Sequence, residues 1–278
     1  MISYRYYINI ILLHFKMRGN VQMISSLSIA GMVIQFILSV GFPIFLLLYF
    51  HRKQGISWKS IMIGALTFVV FVLFLEKMMH SYLLQGNTST ANFFKSHPII
   101  LALYGALAAG IFEEIGRYIS FTILLSKYRE RKDGISYGIG HGGIEAVVLG
   151  GISIITAISL ALSINAGTFD QMVGNQPDMG VLKKTLLETP FYIYFVAAVE
   201  RIGAVFIQIA LSLIVLYGVK QQKWIYLVGA ILFHALIDLP VGFYQTGLIP
   251  LWIAEGFILV WAVISITVIR KSKTWFIK

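Results

Sequence analysis

Seven long apolar runs separated by short polar connections constrain this chain more than any other feature. They cover roughly 26–50, 60–83, 98–126, 135–165, 189–219, 224–243 and 248–270, and about 20 apolar residues suffice for a helix to cross a bilayer. Backbone polar groups inside hydrocarbon must be satisfied within the segment, which selects helices over open sheets. The expectation is an all-α polytopic membrane bundle of about seven transmembrane helices, with the lipid bilayer as its solvent. A composition of 58% hydrophobic and 12% charged residues excludes an ordinary water-soluble surface. Lysine and arginine outnumber acidic residues 22 to 12, but they cluster between the apolar runs, where anionic headgroups explain them, so no nucleic-acid partner is expected. The absence of cysteine leaves His, Asp and Glu as the available metal ligands.

The longest connection, near 166–188, reads "GTFDQMVGNQPDMGVLKKT", and its Gly, Pro, Asn and Asp content marks a loop. One set of connections carries Arg52, Lys53, Lys59, Lys127, Arg129, Arg131, Lys132, Lys220, Lys223, Arg270, Lys271, Lys273 and Lys278, whereas the opposite set offers Lys95, Lys183 and Lys184. The excess of cations predicts that the first set, with the C-terminus, faces the cytoplasm, in what is expected to be a bacterial cytoplasmic membrane. Residues 1–22 add Arg5, Lys16 and Arg18 on the side that should be poor in cations, and their apolar stretch is too short to span. They are expected to be either an interfacial segment or no part of the natural protein, with 23–278 forming a single transmembrane domain.

Seven acidic residues fall inside the runs: Glu76, Glu113, Glu114, Glu145, Glu200, Asp238 and Glu255. Each costs about 2.5 to 3.5 kcal/mol at the centre of a membrane helix, so such groups face a cavity or a partner. Glu113 and Arg117 are four apart, as are His141 and Glu145, and His234 and Asp238. On a helix each pair shares one face. Counting from the nearest cation or loop at 1.5 Å per residue puts Glu113 roughly 21 Å deep, His141 roughly 12 Å, Glu145 roughly 18 Å, His234 roughly 16 Å and Asp238 roughly 22 Å. Three polar pairs from three helices therefore fall in one layer. Glu76, Glu200 and Glu255 lie nearer the opposite face and read as a second group, in which local pairs such as Glu76 with His80 and Glu200 with Arg201 serve structure. Gly138, Gly140, Gly142 and Gly143 around His141 suit close helix approach, and Trp58, Trp224 and Trp252 suit an interfacial belt.

Two histidines with one or more carboxylates are a sufficient ligand set for zinc with an open water position. A carboxylate beside such a water can take its proton. Arg117, one turn along, can pair with either Glu113 or Glu114 and leave the other for the site; the two glutamates point about 100° apart and so serve different roles.

These motifs, "FEEIGR", "GIGHGGIEA" and "HALIDLP", resemble those of the CAAX-protease-like intramembrane metalloproteases, a superfamily that also holds PrsW-type proteases. Within it they are most similar to the bacterial YhfC family, over nearly all the chain from about Met23. The resemblance implies an intramembrane peptidase hydrolysing a peptide bond of a membrane-associated protein or peptide. It implies that Glu113 activates water with support from Glu114 and Arg117. His141 would hold that water or a metal with Glu113, and His234 and Asp238 would complete the metal site or stabilise the oxyanion. Glu145 would be a ligand or would orient one. The implied metal set is Glu113, His141 and His234, with Glu145 and Asp238 as further candidates, and Zn2+ as the ion. A glutamate and a histidine acting without metal are equally compatible with the motif.

One position departs from the YhfC pattern: Gln208, eight residues after Glu200, stands where relatives often carry histidine. An amide hydrogen-bonds but is a poor zinc ligand, so Gln208 either weakens metal binding or supports the site from behind. Two other functions use the same ingredients. Intramembrane Glu, His and Arg also build proton relays in transporters and channels, and a non-catalytic immunity or scaffold protein would keep the fold without the chemistry.

Overall fold

The computed structural model describes residues 23–174 and 177–277; the expectation for the basic segment 1–22 lies outside the described residues. Seven helices are long and apolar enough to cross a membrane, and they match the seven runs closely. They are α1 (Ser26–Gln54), α2 (Trp58–Gly86), α4 (Pro98–Leu124), α5 (Arg131–Ala166), α8 (Phe191–Gln221), α9 (Ile225–Gln245) and α10 (Leu251–Lys271). The described residues are thus an all-α polytopic bundle.

The boundaries follow from capping chemistry. The Ser25 hydroxyl accepts from the Ser28 amide at the start of α1, and Ser57 does the same for Ser60 at the start of α2. Pro98 opens α4, where its missing N–H costs nothing. Glu130 and Asp133 form a reciprocal capping box at the start of α5. Gly167, at φ 73°, ends α5 in the left-handed conformation that glycine adopts without strain. Trp58, Trp224 and Trp252 are exposed at helix starts, as an interfacial belt requires.

The stretch 166–188, expected to be a loop, contains two helices, α6 (Phe169–Val173) and α7 (Pro177–Glu188). Its glycines and proline mark helix ends: Gly174, at φ 64°, closes α6, and Pro177 opens α7. Phe169 and Leu186 are buried with Ile24, Met32, Leu160 and Ile164, so an apolar face held these turns in place despite the polar composition. A further short helix, α3 (Thr88–Ser96), is capped by Asn87 and buries Ala91 and Phe94.

α8 is the centre of the bundle. In its most apolar window 67% of residues are buried, against 22–39% in the other six spans, and it packs on α1, α4, α5, α9 and α10. α9 lies along α4, and α5 is held between α2 and α8. α8, which bears Gln208, therefore touches each of the three helices bearing the motif residues. Close approach around α5 depends on glycine. A Cβ at Gly140 would lie 2.0 Å from the Ile61 carbonyl oxygen of α2, and one at Gly138 would lie 2.5 Å from Ile209 Cα of α8. The surface of the spans is studded with exposed Ile37, Phe45, Met62, Phe74, Ile123 and Val263, which lipid, not water, would cover.

Among the wide, π-type turns in the spans are Phe68–Glu76 in α2 and Ala146–Ile152 in α5. The first ends on Glu76 and the second begins just after Glu145. Such turns shift the register of side chains and concentrate at functional positions in helices.

Candidate active site

α4 carries the two adjacent glutamates to opposite duties. Glu114 and Arg117 are both fully buried, one turn apart, and joined as an ion pair. Arg117 also donates to the Gln208 side-chain oxygen of α8, and Glu114 Oε1 lies 2.7 Å from His234 Nδ1 of α9. The pair thus clamps three helices. Removing either partner would strand an uncompensated charge in the interior.

Glu113 is turned away from Arg117. Its Oε2 meets His141 Nε2 of α5 at 2.9 Å and accepts from Gln208 Nε2 at 2.9 Å. The same Gln208 nitrogen donates to Glu145 Oε2, also at 2.9 Å. Arg117 fixes the amide's orientation, since its carbonyl oxygen must face the guanidinium and its N–H groups must then face the two carboxylates. Gln208 therefore lies between Glu113 and Glu145 and lines the same cavity.

His141 is wholly enclosed. Its ring lies against Tyr137, nearly parallel with centroids 6.0 Å apart, and edge-on to Phe68 at 5.4 Å. Its Nδ1 is buried without a hydrogen-bond partner, so aromatic packing and the Glu113 contact hold the ring in place. On the opposite wall, His234 presents Nε2 at 3.9 Å from Glu113 Oε1 and 3.5 Å from Asp238 Oδ2.

All seven motif residues are brought into one region, but not with equal proximity. Glu113, His141 and Glu145 each offer a ligand atom, and these atoms lie within 4.8 Å of one another. One imidazole and two carboxylates suit a divalent ion of the zinc, manganese or iron type. In the expected set of Glu113, His141 and His234, the last stands one step back, held by Glu114, and Glu145 is nearer. Asp238 reaches the cluster through His234.

Of the residues read as a second, outer group, Glu76 and Glu200 do not stand apart, whereas Glu255 is not among the residues lining the cavity. A cavity of about 620 Å³ is lined by Glu113, His234 and Asp238 together with Glu76, His80 and Glu200. Arg201, read as a partner of Glu200, also contacts Glu145 Oε1 at 3.4 Å and so ties the outer group to the site. Its spacing gave a signal: Arg201 and Gln208 are seven apart and share one face of α8. The aromatic support from Phe68 and Tyr137 carried no such mark, because aromatic residues abound in every span.

No solved structure matches the chain. It is 41% identical over 238 residues, 84% of this chain and 92% of the relative, to the uncharacterized membrane protein YhfC of Bacillus subtilis (strain 168). The sequence model of the YhfC intramembrane metalloprotease family matches residues 36–258, which include every motif residue above. The chain belongs to the YhfC intramembrane metalloprotease family.

Proposed function

We propose that this protein is an intramembrane endopeptidase that cleaves a membrane-associated protein or peptide with a water molecule activated by Glu113. The observation that carries this reading is the division of labour between adjacent glutamates. Glu114 is consumed by Arg117 and His234, whereas Glu113 has one oxygen held by His141 and Gln208 and the other directed at the cavity wall formed by His234. A carboxylate held in that way beside a cavity is placed to act as a general base.

The chemistry runs as an addition and an elimination. Glu113 Oε1 takes a proton from water as its oxygen adds to the substrate carbonyl carbon. His234 Nε2 and Asp238 line the side on which negative charge develops, and a donor there stabilises the oxyanion. The C–N bond then breaks, and Glu113 returns its proton to the departing amine. His141 orients Glu113 throughout, and Gln208 holds Glu113 and Glu145 apart. Arg117, kept charged by Glu114, fixes Gln208.

The donor set of Glu113, His141 and Glu145 fits a divalent metal, with zinc the ion proposed. Such an ion, when bound, acts as a Lewis acid and lowers the pKa of its water. The cation-rich ends of the helices are read as cytoplasmic, in a bacterial cytoplasmic membrane, with the C-terminus inside. The test is a proteomic comparison of membranes from cells making the wild-type protein or Glu113→Gln. Peptide fragments that appear only with the wild type support the reading, and indistinguishable fragment sets oppose it.

A further inference from the structure

The cavity that begins at Glu113 runs toward the cation-poor end of the bundle. Leu84 near the end of α2, Leu101 near the start of α4 and Thr246 just past α9 line its far part. Five carboxylates line it: Glu76, Glu113, Glu145, Glu200 and Asp238. Arg201 is the single Lys or Arg among its described lining residues, and it is already engaged by Glu200 and Glu145. Glu113 and Asp238 face His141 and His234.

Glu76 faces a histidine with only one of its two oxygens. It is 6% exposed, and its Oε1 meets His80 Nε2 at 3.1 Å. His80 Nδ1 in turn meets the Tyr104 hydroxyl at 2.7 Å. These two contacts occupy both ring nitrogens of His80. The other carboxylate oxygen, Oε2, is buried with no hydrogen-bond partner. Lys77, next in sequence, is exposed on the outer surface of α2 and does not line the cavity. A buried carboxylate oxygen without a donor costs free energy that a cationic donor would recover. A metal ion is a poor occupant, since one free oxygen is too few ligands and no second cluster of three metal-ligating groups occurs among the described residues. An ammonium or guanidinium group needs only such an acceptor.

We infer that Glu76, braced by His80 and Tyr104, is a subsite for a positively charged group of the substrate, namely a Lys or Arg side chain or a free α-amino group. The inference rests on the proposed peptidase reading and adds substrate class to it. Glu76 lies eight residues along α2 from Phe68, which packs on His141. That is at most about 12 Å of helix axis, a distance spanned by roughly three or four residues of extended peptide. The cation is therefore expected about three residues from the bond that is cut.

Binding separates this inference from catalysis. Three fluorescein-labelled nonapeptides of Ala and Leu are compared by anisotropy on protein in zwitterionic nanodiscs. The first is N-acetylated with a central Lys, the second is N-acetylated with a central norleucine, and the third has norleucine with a free N-terminus. Wild-type protein is expected to bind one or both cationic peptides roughly tenfold or more tightly than the neutral one. Glu76→Gln should erase that preference and leave neutral-peptide binding unchanged. The Lys and free-amine peptides show which source supplies the cation. Equal binding of all three peptides to the wild type, or a preference that survives in Glu76→Gln, overturns the inference. The wild-type comparison needs no variant to fold. Cleavage of the same peptides by wild type and by Glu113→Gln reads the enzymatic proposal independently: selective binding without cleavage counts against the peptidase and for the cation subsite, and cleavage without selectivity does the reverse.

Discussion

Glu113 and Glu114 are adjacent on one helix yet share no partner oxygen contact of the short kind: Glu113 Oε2 lies 2.9 Å from His141 Nε2, while Glu114 Oε1 takes Arg117 and, at 2.7 Å, His234 Nδ1. The rotation of about 100° between consecutive helical residues makes this possible. It puts one carboxylate on the cavity and buries the other as part of the frame.

The frame should be felt as stability. Arg117→Met leaves Glu114 buried without its cation, and breaking a buried pair costs about 3 to 5 kcal/mol. Unfolding of the purified variant in detergent, followed by circular dichroism, is expected to begin well below the wild type. Unchanged stability would mean that the pair is dispensable to the fold.

Helix approach makes a second prediction. Gly140→Ala would put a methyl group 2.0 Å from the Ile61 carbonyl oxygen. Since both sides are backbone, α2 and α5 must separate, at about 1 to 3 kcal/mol. Gly256 on α10 has nothing within 4 Å of its added Cβ, so Gly256→Ala should be neutral or slightly stabilising through helix propensity. The two variants, compared in one unfolding assay, should move in different directions.

Gln208 is predicted to act through others. Gln208→Ala removes contacts to Arg117, Glu113 and Glu145 at once. Losses of orienting groups behind a metal or catalytic residue typically cost 10- to 100-fold, so cleavage should fall by about that much while the protein remains folded. Gln208→His, which keeps a hydrogen-bonding side chain at this position, should retain more activity than Gln208→Ala. Equal activity in the two would remove Gln208 from the working site.

Metal content discriminates between the candidate ligands. Zinc per protein, measured by elemental analysis after purification, is expected to drop in His141→Ala and Glu145→Gln, whose ligand atoms share the cluster with Glu113. His234→Ala should lower it less, because His234 is engaged with Glu114. A larger loss in His234→Ala than in Glu145→Gln would restore the ligand set read from the motifs.

Much of this arrangement was legible in the sequence because the bilayer simplifies the problem. Apolar runs reported the spans to within a few residues, and ionisable residues inside them stood out against hydrocarbon. The spacing of Glu113 with Arg117, His141 with Glu145, and His234 with Asp238 marked three helix faces. The choice of Arg117 between two glutamates was not legible, since both i−3 and i−4 neighbours are reachable on a helix. Nor was the continuity of Glu76 and Glu200 with the site, because counting depth along a helix says nothing of the shape of the space between helices. Residues 166–188 misled for a different reason: the polar residues were obvious, while the apolar anchors Phe169 and Leu186 act only through long-range packing.

The cleavage rate of Glu113→Gln decides whether Glu113 activates the water. The purified variant and the wild type are reconstituted side by side with a membrane protein whose fragment appears only in wild-type cells, and new termini are followed by mass spectrometry. The expected result is a folded Glu113→Gln protein with unfolding behaviour close to the wild type and no detectable product. Cleavage by that variant at the wild-type rate would contradict it.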